Sequence, residues 1–145
     1  GCPDATEEQI EEALVISQAK EFVDTKEGRL DAVVEQGGKN LSGGQRQRLT
    51  LARALVPQSD ILIMDDSASA LDYATDAKLR KAIQNMKRKP TVFIVSQRTS
   101  SIQDADSILV LDDGKIAGKG THEELIASCD IYREIYETQF KKEEA

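Results

Sequence analysis

Apolar residues recur at helical and at strand-like spacings along this chain, and the two spacings alternate. Helical spacing begins after Thr6, which precedes an acidic first turn, and its apolar stripe predicts one helix running toward Val23. Another helix is predicted to start at Ser42 and to stop at Pro57. A third, ending before Pro90, is predicted by apolar positions on one face: Leu79, Ala82, Ile83 and Met86.

Short apolar runs predict the strands, which are Ile61–Met64, Thr91–Val95 and Ser107–Leu111. The first of these is typical of a strand that is buried on both faces in a parallel sheet. The Asp113-Gly114 turn predicts a hairpin with a further strand at Lys115–Ala117. Strands that alternate with helices predict an α/β fold with a mainly parallel sheet flanked by helices.

Composition narrows the classes of function. The chain has 145 residues, which is enough for one domain with its own core, and 31% of them are charged while 4% are aromatic. Its formal net charge is −7, so we expect no nucleic-acid partner. Cys2 and Cys129 lack metal-ligand spacing and favour a reducing intracellular setting. No apolar run reaches the length of a membrane-spanning helix.

The segment Leu41–Arg48 reads Leu-Ser-Gly-Gly-Gln-Arg-Gln-Arg, and Ser42 with Gln45 fits the Ser-x-x-Gln capping pattern. Unpaired N–H groups and the positive end of the dipole make a helix start suitable for an anion. Gly43 and Gly44 allow close approach to that backbone because they lack a Cβ. A phosphate-binding helix start is the functional interpretation, and an ordinary capped helix is the alternative.

An acidic pair follows the run Ile61–Met64. Asp65 ends the predicted strand, where a carboxylate can hold Mg²⁺ directly or through water, and Asp66 comes next. An N-cap or turn role is the alternative for Asp65. Further along, Ser69–Asp72 forms a turn into the next predicted helix.

In this order and spacing, Ser42–Gln45, Ile61–Asp66 and Ser69–Asp72 resemble the signature helix, the Walker B strand and the D-loop of an ABC-type ATPase. The resemblance covers nearly the whole chain and implies a partial P-loop NTPase fold that lacks the Walker A half. It implies the helical subdomain and signature helix at residues 1–57 and the C-terminal part of the RecA-like core at residues 58–145. The implied cofactors are ATP and Mg²⁺.

Two positions depart from the family's pattern. Asp66 stands where ABC ATPases usually have a glutamate that orients the attacking water, and aspartate is shorter by about 1.5 Å. Gln97 stands where the family usually has the switch histidine that contacts the γ-phosphate, and a carboxamide carries no imidazolium charge. Together with Asp65 they would form a degenerate site, as in one subunit of heterodimeric ABC exporters. Asp72, in the D-loop, would lie near nucleotide at the dimer interface.

The exporter branch is indicated by Glu35–Asn40, which resembles the loop that contacts transmembrane coupling helices, and by the ending Tyr132–Phe140. The implied partners are a second nucleotide-binding domain, in a heterodimer, and a transmembrane domain at the cytoplasmic face of the cell membrane. Ser42–Gln45 would complete the partner's ATP site, where hydrolysis drives export. Two alternatives stay open: an ABC ATPase of DNA repair or translation without a transporter, and a catalytically silent interaction module.

The Walker A pattern G-x-x-x-x-G-K-[S/T] is absent, since Gly114–Gly120 is one residue short and lies in the predicted hairpin. We therefore expect the chain alone to bind ATP weakly and to be inactive. In the family the Walker A strand lies between the strands that correspond to Thr91–Val95 and Ser107–Leu111. Unpaired edges and an uncovered apolar face would then favour self-association or a rearranged sheet. His122, the only histidine, is explained by its place after the Thr121 cap rather than by catalysis.

Overall fold

The computed structural model describes residues 2–143, with side chains described for residues 2–140. Its helices and strands, in chain order, are α1 (Glu7–Ile16), α2 (Lys20–Asp24), α3 (Gly43–Leu55), β1 (Ile61–Asp65), α4 (Tyr73–Gln84), β2 (Thr91–Val95), β3 (Ile108–Asp112), β4 (Lys115–Gly120), α5 (His122–Ser128) and α6 (Asp130–Glu143). The chain divides into two compact units, the first ending at Val95 and the second beginning at Ser96. The predicted boundary after residue 57 concerns subdomains within the family's fold and stays a prediction.

The core of the first unit lies between its helices and one face of a parallel strand pair. β1 and β2 pair in register from Ile61 with Thr91 to Asp65 with Val95. Apolar side chains from α1 to α4 join the buried face of β1 in one cluster, whose members include Ala13, Leu14, Val23, Leu51, Leu55, Leu62, Met64, Leu79 and Ile83. Burial of these side chains, at about 25 cal/mol per Å² of apolar surface, stabilises the unit.

The two faces of the parallel pair differ in coverage. Leu62 and Met64 are buried, whereas Ile61 and Ile63 on the other face are 58% and 69% exposed. The expectation that this strand is buried on both faces is therefore wrong for the residues described. The uncovered apolar face that the sequence predicted is present. It consists of Ile61 and Ile63 together with the exposed Phe93 and Val95 of β2. Each strand of the pair has one neighbour within the described residues, so each keeps a free edge. Self-association through this face stays a prediction.

The first helix is shorter than its apolar pattern predicted. α1 begins with the expected capping box at Thr6 but ends at Ile16, because Gln18 adopts a left-handed φ of 60°. Arg48 of α3 donates a hydrogen bond to the carbonyl oxygen of Gln18 at 2.8 Å and lies over the ring of Phe22. Contacts with α3 thus stabilise the break between α1 and α2, and a periodicity argument does not register such contacts.

The second unit is built on the predicted hairpin. β3 and β4 pair antiparallel, and the turn between them places Asp113 at φ 44° and Gly114 at φ 73°. Two successive positive φ values are typical of the Asp-Gly hairpin turn. α5 begins with a capping box at Thr121, and its Leu125 packs with residues of β3 and α6 in the core of this unit.

Among the described residues, no helix has the length and apolar character needed to cross a membrane.

Candidate phosphate-binding site

The start of α3 forms the predicted capping box. The hydroxyl oxygen of Ser42 accepts a hydrogen bond from the N–H of Gln45 at 3.2 Å, and the N–H of Ser42 donates to Oε1 of Gln45 at 3.0 Å. Ser42 is exposed, while Gly43 and Gly44 are half-buried. Within the described part of the chain, no group accepts a hydrogen bond from the N–H of Gly43 or of Gly44. Two adjacent amides at the positive end of a helix are therefore available to an anion.

Gly44 has less room for a side chain than Gly43 has. A Cβ on Gly44 would lie 3.1 Å from the carbonyl oxygen of Ala70, a backbone atom with little freedom to move away. A Cβ on Gly43 would lie 3.6 Å from the Cβ of Ala70, which is an ordinary contact distance. The turn after β1 thus packs directly on the start of α3, and Gly44 permits the closest approach.

The acidic pair lies at the end of β1 and has two different backbone environments. Asp65 is the last residue of the strand, in register with Val95. Asp66 donates its N–H to the carbonyl oxygen of Val95 at 3.0 Å and then adopts a left-handed φ of 48°. Both acidic residues are exposed. With this left-handed conformation, Asp66 ends the hydrogen bonding between β1 and β2, and the chain turns toward α3.

A magnesium ion usually takes one or two protein carboxylates and fills its other positions with water and phosphate oxygens. Asp65 could be such a carboxylate ligand, because it is exposed at the carboxyl end of a parallel strand. Across the described residues, no group of three or more His, Cys, Asp or Glu could hold a metal ion. Asp65 could thus supply one ligand, and the rest would come from nucleotide and water.

The turn from Asp66 to Asp72 is held by a side chain that the sequence reasoning missed. Gln47 of α3 donates from Nε2 to the hydroxyl of Ser69 at 3.0 Å and accepts at Oε1 from the N–H of Ala70 at 2.9 Å. Its position four residues after Gly43, on the same helix face, was the available signal, because both residues face this turn.

Asp72 lies at the end of this turn and caps α4. Its Oδ1 accepts from the N–H of Thr75 at 2.9 Å, and its Oδ2 accepts from the Thr75 hydroxyl at 2.8 Å. These hydrogen bonds, first the one from the backbone, hold the pKa of the Asp72 carboxyl below its usual value. The capping contacts account for Asp72 structurally, and its role near nucleotide stays a prediction.

Gln97 belongs to the second unit, where it is exposed. Its carbonyl oxygen accepts a hydrogen bond from Nε2 of Gln139 at 2.6 Å. Oε1 of the same Gln139 accepts from the N–H and from the hydroxyl of Thr99, each at 2.9 Å. One carboxamide of α6 therefore holds the backbone on both sides of Arg98, and the side chain of Gln97 extends from a fixed segment.

Two other residues considered from the sequence have structural roles here. Nδ1 of His122 lies 2.9 Å from the hydroxyl of Tyr132, and its ring packs on Tyr136. A Cβ on Gly118, in the segment that partly matched Walker A, would lie 2.9 Å from Leu125 and 3.0 Å from Cys129. That glycine is explained by the close packing of β4 on α5.

Comparisons with known proteins show what this chain resembles in sequence and in fold. A family model for the ABC transporter matches residues 5–69. The chain is 42% identical over 139 residues to an ATP-dependent lipid A-core flippase of Shewanella frigidimarina, a match that covers 96% of this chain and 23% of that protein. It is 41% identical over 145 residues to the beta-(1→2)glucan export ATP-binding/permease protein NdvA of Rhodopseudomonas palustris, covering 100% of this chain and 24% of that protein.

Among solved structures, a bacterial Atm1-family ABC exporter with ATP bound superposes with a TM-score of 0.90 at 31% identity, covering 94% of this chain and 24% of that one. The predicted fold class, a partial ABC ATPase fold, is thereby confirmed. The chain spans about a quarter of the length of the curated relatives it matches. In sequence and in fold, the chain matches a fragment of an exporter-type ABC transporter nucleotide-binding domain.

Proposed function

We propose that the start of α3 completes an ATP site whose phosphate loop is supplied by a second nucleotide-binding domain. The observation that carries this proposal is the pair of available N–H groups on Gly43 and Gly44 beside the exposed Ser42. Hydrogen bonds to a charged group contribute about 1.5–3 kcal/mol each, so this short segment is enough to sense a terminal phosphate. Gln45 supports the segment through its capping contact.

The chain's own site is proposed to hold ATP and to hydrolyse it slowly. Asp65 contributes a carboxylate toward Mg²⁺, and Asp66 and Gln97 stand at the positions of the water-orienting acid and the switch residue. Aspartate places its carboxylate more than 1 Å short of where glutamate would, and a misplacement of about 1 Å can cost about a hundredfold in rate. The partner would therefore be a different chain with a competent site, in a heterodimer.

Hydrolysis in the partner's site is proposed to relax the closed pair and to drive a transmembrane domain that exports substrate across the cell membrane, with this domain on its cytoplasmic face. The loop before α3 supports a contact of that kind. Asn40 closes it by accepting from the N–H of Glu35 at 3.2 Å and donating to the carbonyl of Val33 at 2.8 Å. Val33 and Val34 are 81% and 58% exposed beside it.

The test compares substitutions at the two proposed sites, made in the full-length protein assembled with its partner. Ser42→Arg places a large charged side chain at the phosphate contact and should lower ATP turnover by about a hundredfold or more. Asp66→Asn should leave most of the turnover, because the slow site contributes little. Thr50→Arg, at another exposed position of α3, is the matched control and should have no such effect.

Equal losses for Ser42→Arg and Asp66→Asn would refute the asymmetry between the sites. Full turnover in Ser42→Arg would refute the phosphate contact itself. Measurement of substrate export alongside turnover separates a transporter from an ATPase without transport.

A further inference from the structure

Gln47 connects the start of α3 to the turn that carries Asp66. Its carboxamide uses both of its polar atoms on this turn. Oε1 accepts from Ala70, and Nε2 donates to the hydroxyl of Ser69 and, at 3.4 Å, to the carbonyl oxygen of Asp66. Gln47 is half-buried, whereas Asp66, Ser69 and Ala70 are exposed. The acceptor and the donor of this amide are thus both used on one short loop.

The carbonyl oxygen of Asp66 accepts several hydrogen bonds. It accepts from the N–H of Ser69 at 3.3 Å and from the Ser69 hydroxyl at 3.0 Å, in addition to Gln47. The N–H of Asp66 is bound to Val95 of β2. Asp66 is thus fixed on both sides while it holds a left-handed conformation, which a non-glycine residue keeps only where its surroundings impose it.

The helix makes this connection rigid. Gln47 lies about one turn, roughly 6 Å, along α3 from Gly43, and the backbone between them is regular helix. Gly44 meets the carbonyl of Ala70 on the same side. A displacement of the helix start on contact with a phosphate would therefore be passed to the turn through Gln47 and through the Gly44 contact together.

We propose that Gln47 is a positioning residue that couples nucleotide binding in the partner's site to the chain's own site, by tying the start of α3 to the turn Asp66–Ala70. This inference rests on the proposed function. The start of α3 serves the partner's nucleotide, whereas Asp66 serves the chain's own, so the Gln47 carboxamide lies between the two. Coupling of this kind between sites is usually about 5- to 150-fold in affinity.

The test uses the full-length assembled pair and the fluorescent nucleotide TNP-ATP, chased from the slow site with excess ATP. Its release rate is measured once with the partner's site empty and once with ATP trapped there by a hydrolysis-deficient partner. In the unaltered protein the trapped nucleotide should slow release by about fivefold or more. Gln47→Met, which keeps the side-chain length without hydrogen bonds, should reduce that ratio to less than about twofold.

A second variant guards against a folding defect. Gln47→Glu keeps an acceptor for Ala70 but loses the Nε2 donor, so its ratio should lie between those of the other two proteins. Thr50→Met is the matched control on the same helix and should keep the full ratio. An unchanged ratio in both Gln47 variants, with Ser42→Arg abolishing it, would overturn this inference alone. If Ser42→Arg also left the ratio unchanged, the proposed function itself would fail.

Discussion

The start of α3 and the end of β1 pack against each other but are built in different ways. The helix start offers backbone N–H groups, framed by a capping box within four consecutive residues, Ser42–Gln45. The strand end offers carboxylates, and the position of Asp66 depends on contacts with β2, with Ser69 and with Gln47, which lies 19 residues earlier.

The two regions therefore tolerate different changes. A site made of backbone amides is insensitive to many side-chain changes but is blocked by added volume. A site made of carboxylates depends on side-chain length and on the contacts that aim it.

Added volume at the helix start should separate its two glycines. Gly44→Ala places a Cβ 3.1 Å from the carbonyl oxygen of Ala70, so the turn must move. ATP turnover of the assembled protein should fall about ten- to a hundredfold. Gly43→Ala meets Ala70 at 3.6 Å and should cost much less. Steady-state ATPase assays of the two variants give the comparison. An equal loss of turnover in both would mean that the close contact of the turn with Gly44 does not affect function.

Side-chain length at the strand end can be restored. In a Ser42→Arg background, in which the partner's site is blocked, Asp66→Glu combined with Gln97→His should raise the residual turnover by about tenfold or more, because a longer carboxylate and an imidazole are returned. Single-turnover hydrolysis measures this directly. Asp66→Glu alone should gain less, since it returns the longer carboxylate without the imidazole. No gain in the combined variant would argue that the slow site is limited by something other than these residues.

The segment at Gln97 is held by one carboxamide, as is the turn at Asp66. Gln139→Met removes the acceptor for the N–H of Thr99, a residue that is 3% exposed. Loss of a buried hydrogen bond of this kind should lower the free energy of unfolding by about 1–3 kcal/mol. Urea denaturation of the chain checks this, with the exposed Glu137→Met on the same helix as control, for which about 0.5 kcal/mol or less is expected. Equal stability of the two variants would contradict the role given to Gln139.

The smallest effect concerns Asp72, whose folded pKa lies below its usual value because of Thr75. A depressed folded pKa means that the carboxylate stabilises the fold at pH values above its unfolded pKa of about 4. That contribution is lost as the pH falls through the folded pKa. Asp72→Asn keeps a capping acceptor without the charge and should therefore flatten the acid side of the profile of Tm against pH. Identical profiles for the two proteins would show that the charge contributes nothing.

Local features of this fold could be predicted from the sequence, and contacts between distant residues could not. The capping boxes at Thr6 and Ser42 and the Asp113-Gly114 turn each depend on a few neighbouring residues, so the pattern was sufficient. The break after Ile16 depends on Arg48, which comes from another helix.

The same limit applies to the site. Residue types and spacing indicated Ser42–Gln45, Asp65 and Asp66 as candidate site residues, because their own backbone N–H groups or carboxylates would bind the phosphate or the metal. Gln47 and Gln139 hold segments 22 and 40 residues away, and apart from the helix-face position of Gln47 the sequence does not indicate which groups they contact. The uncovered face of β1 could be anticipated only by considering which strand the family places beside β2.

The proposed contact between Ser42 and a nucleotide held by another subunit can be tested by thiol protection. Ser42→Cys is introduced into the assembled full-length protein after the exposed Cys2 is replaced by serine, while Cys129 is buried. Saturating ATP should slow alkylation of the new thiol by N-ethylmaleimide about tenfold or more, and Thr50→Cys on the same helix should be unaffected. Protection should vanish when the partner's phosphate loop is disabled. Alkylation that proceeds at one rate with and without ATP would contradict the account.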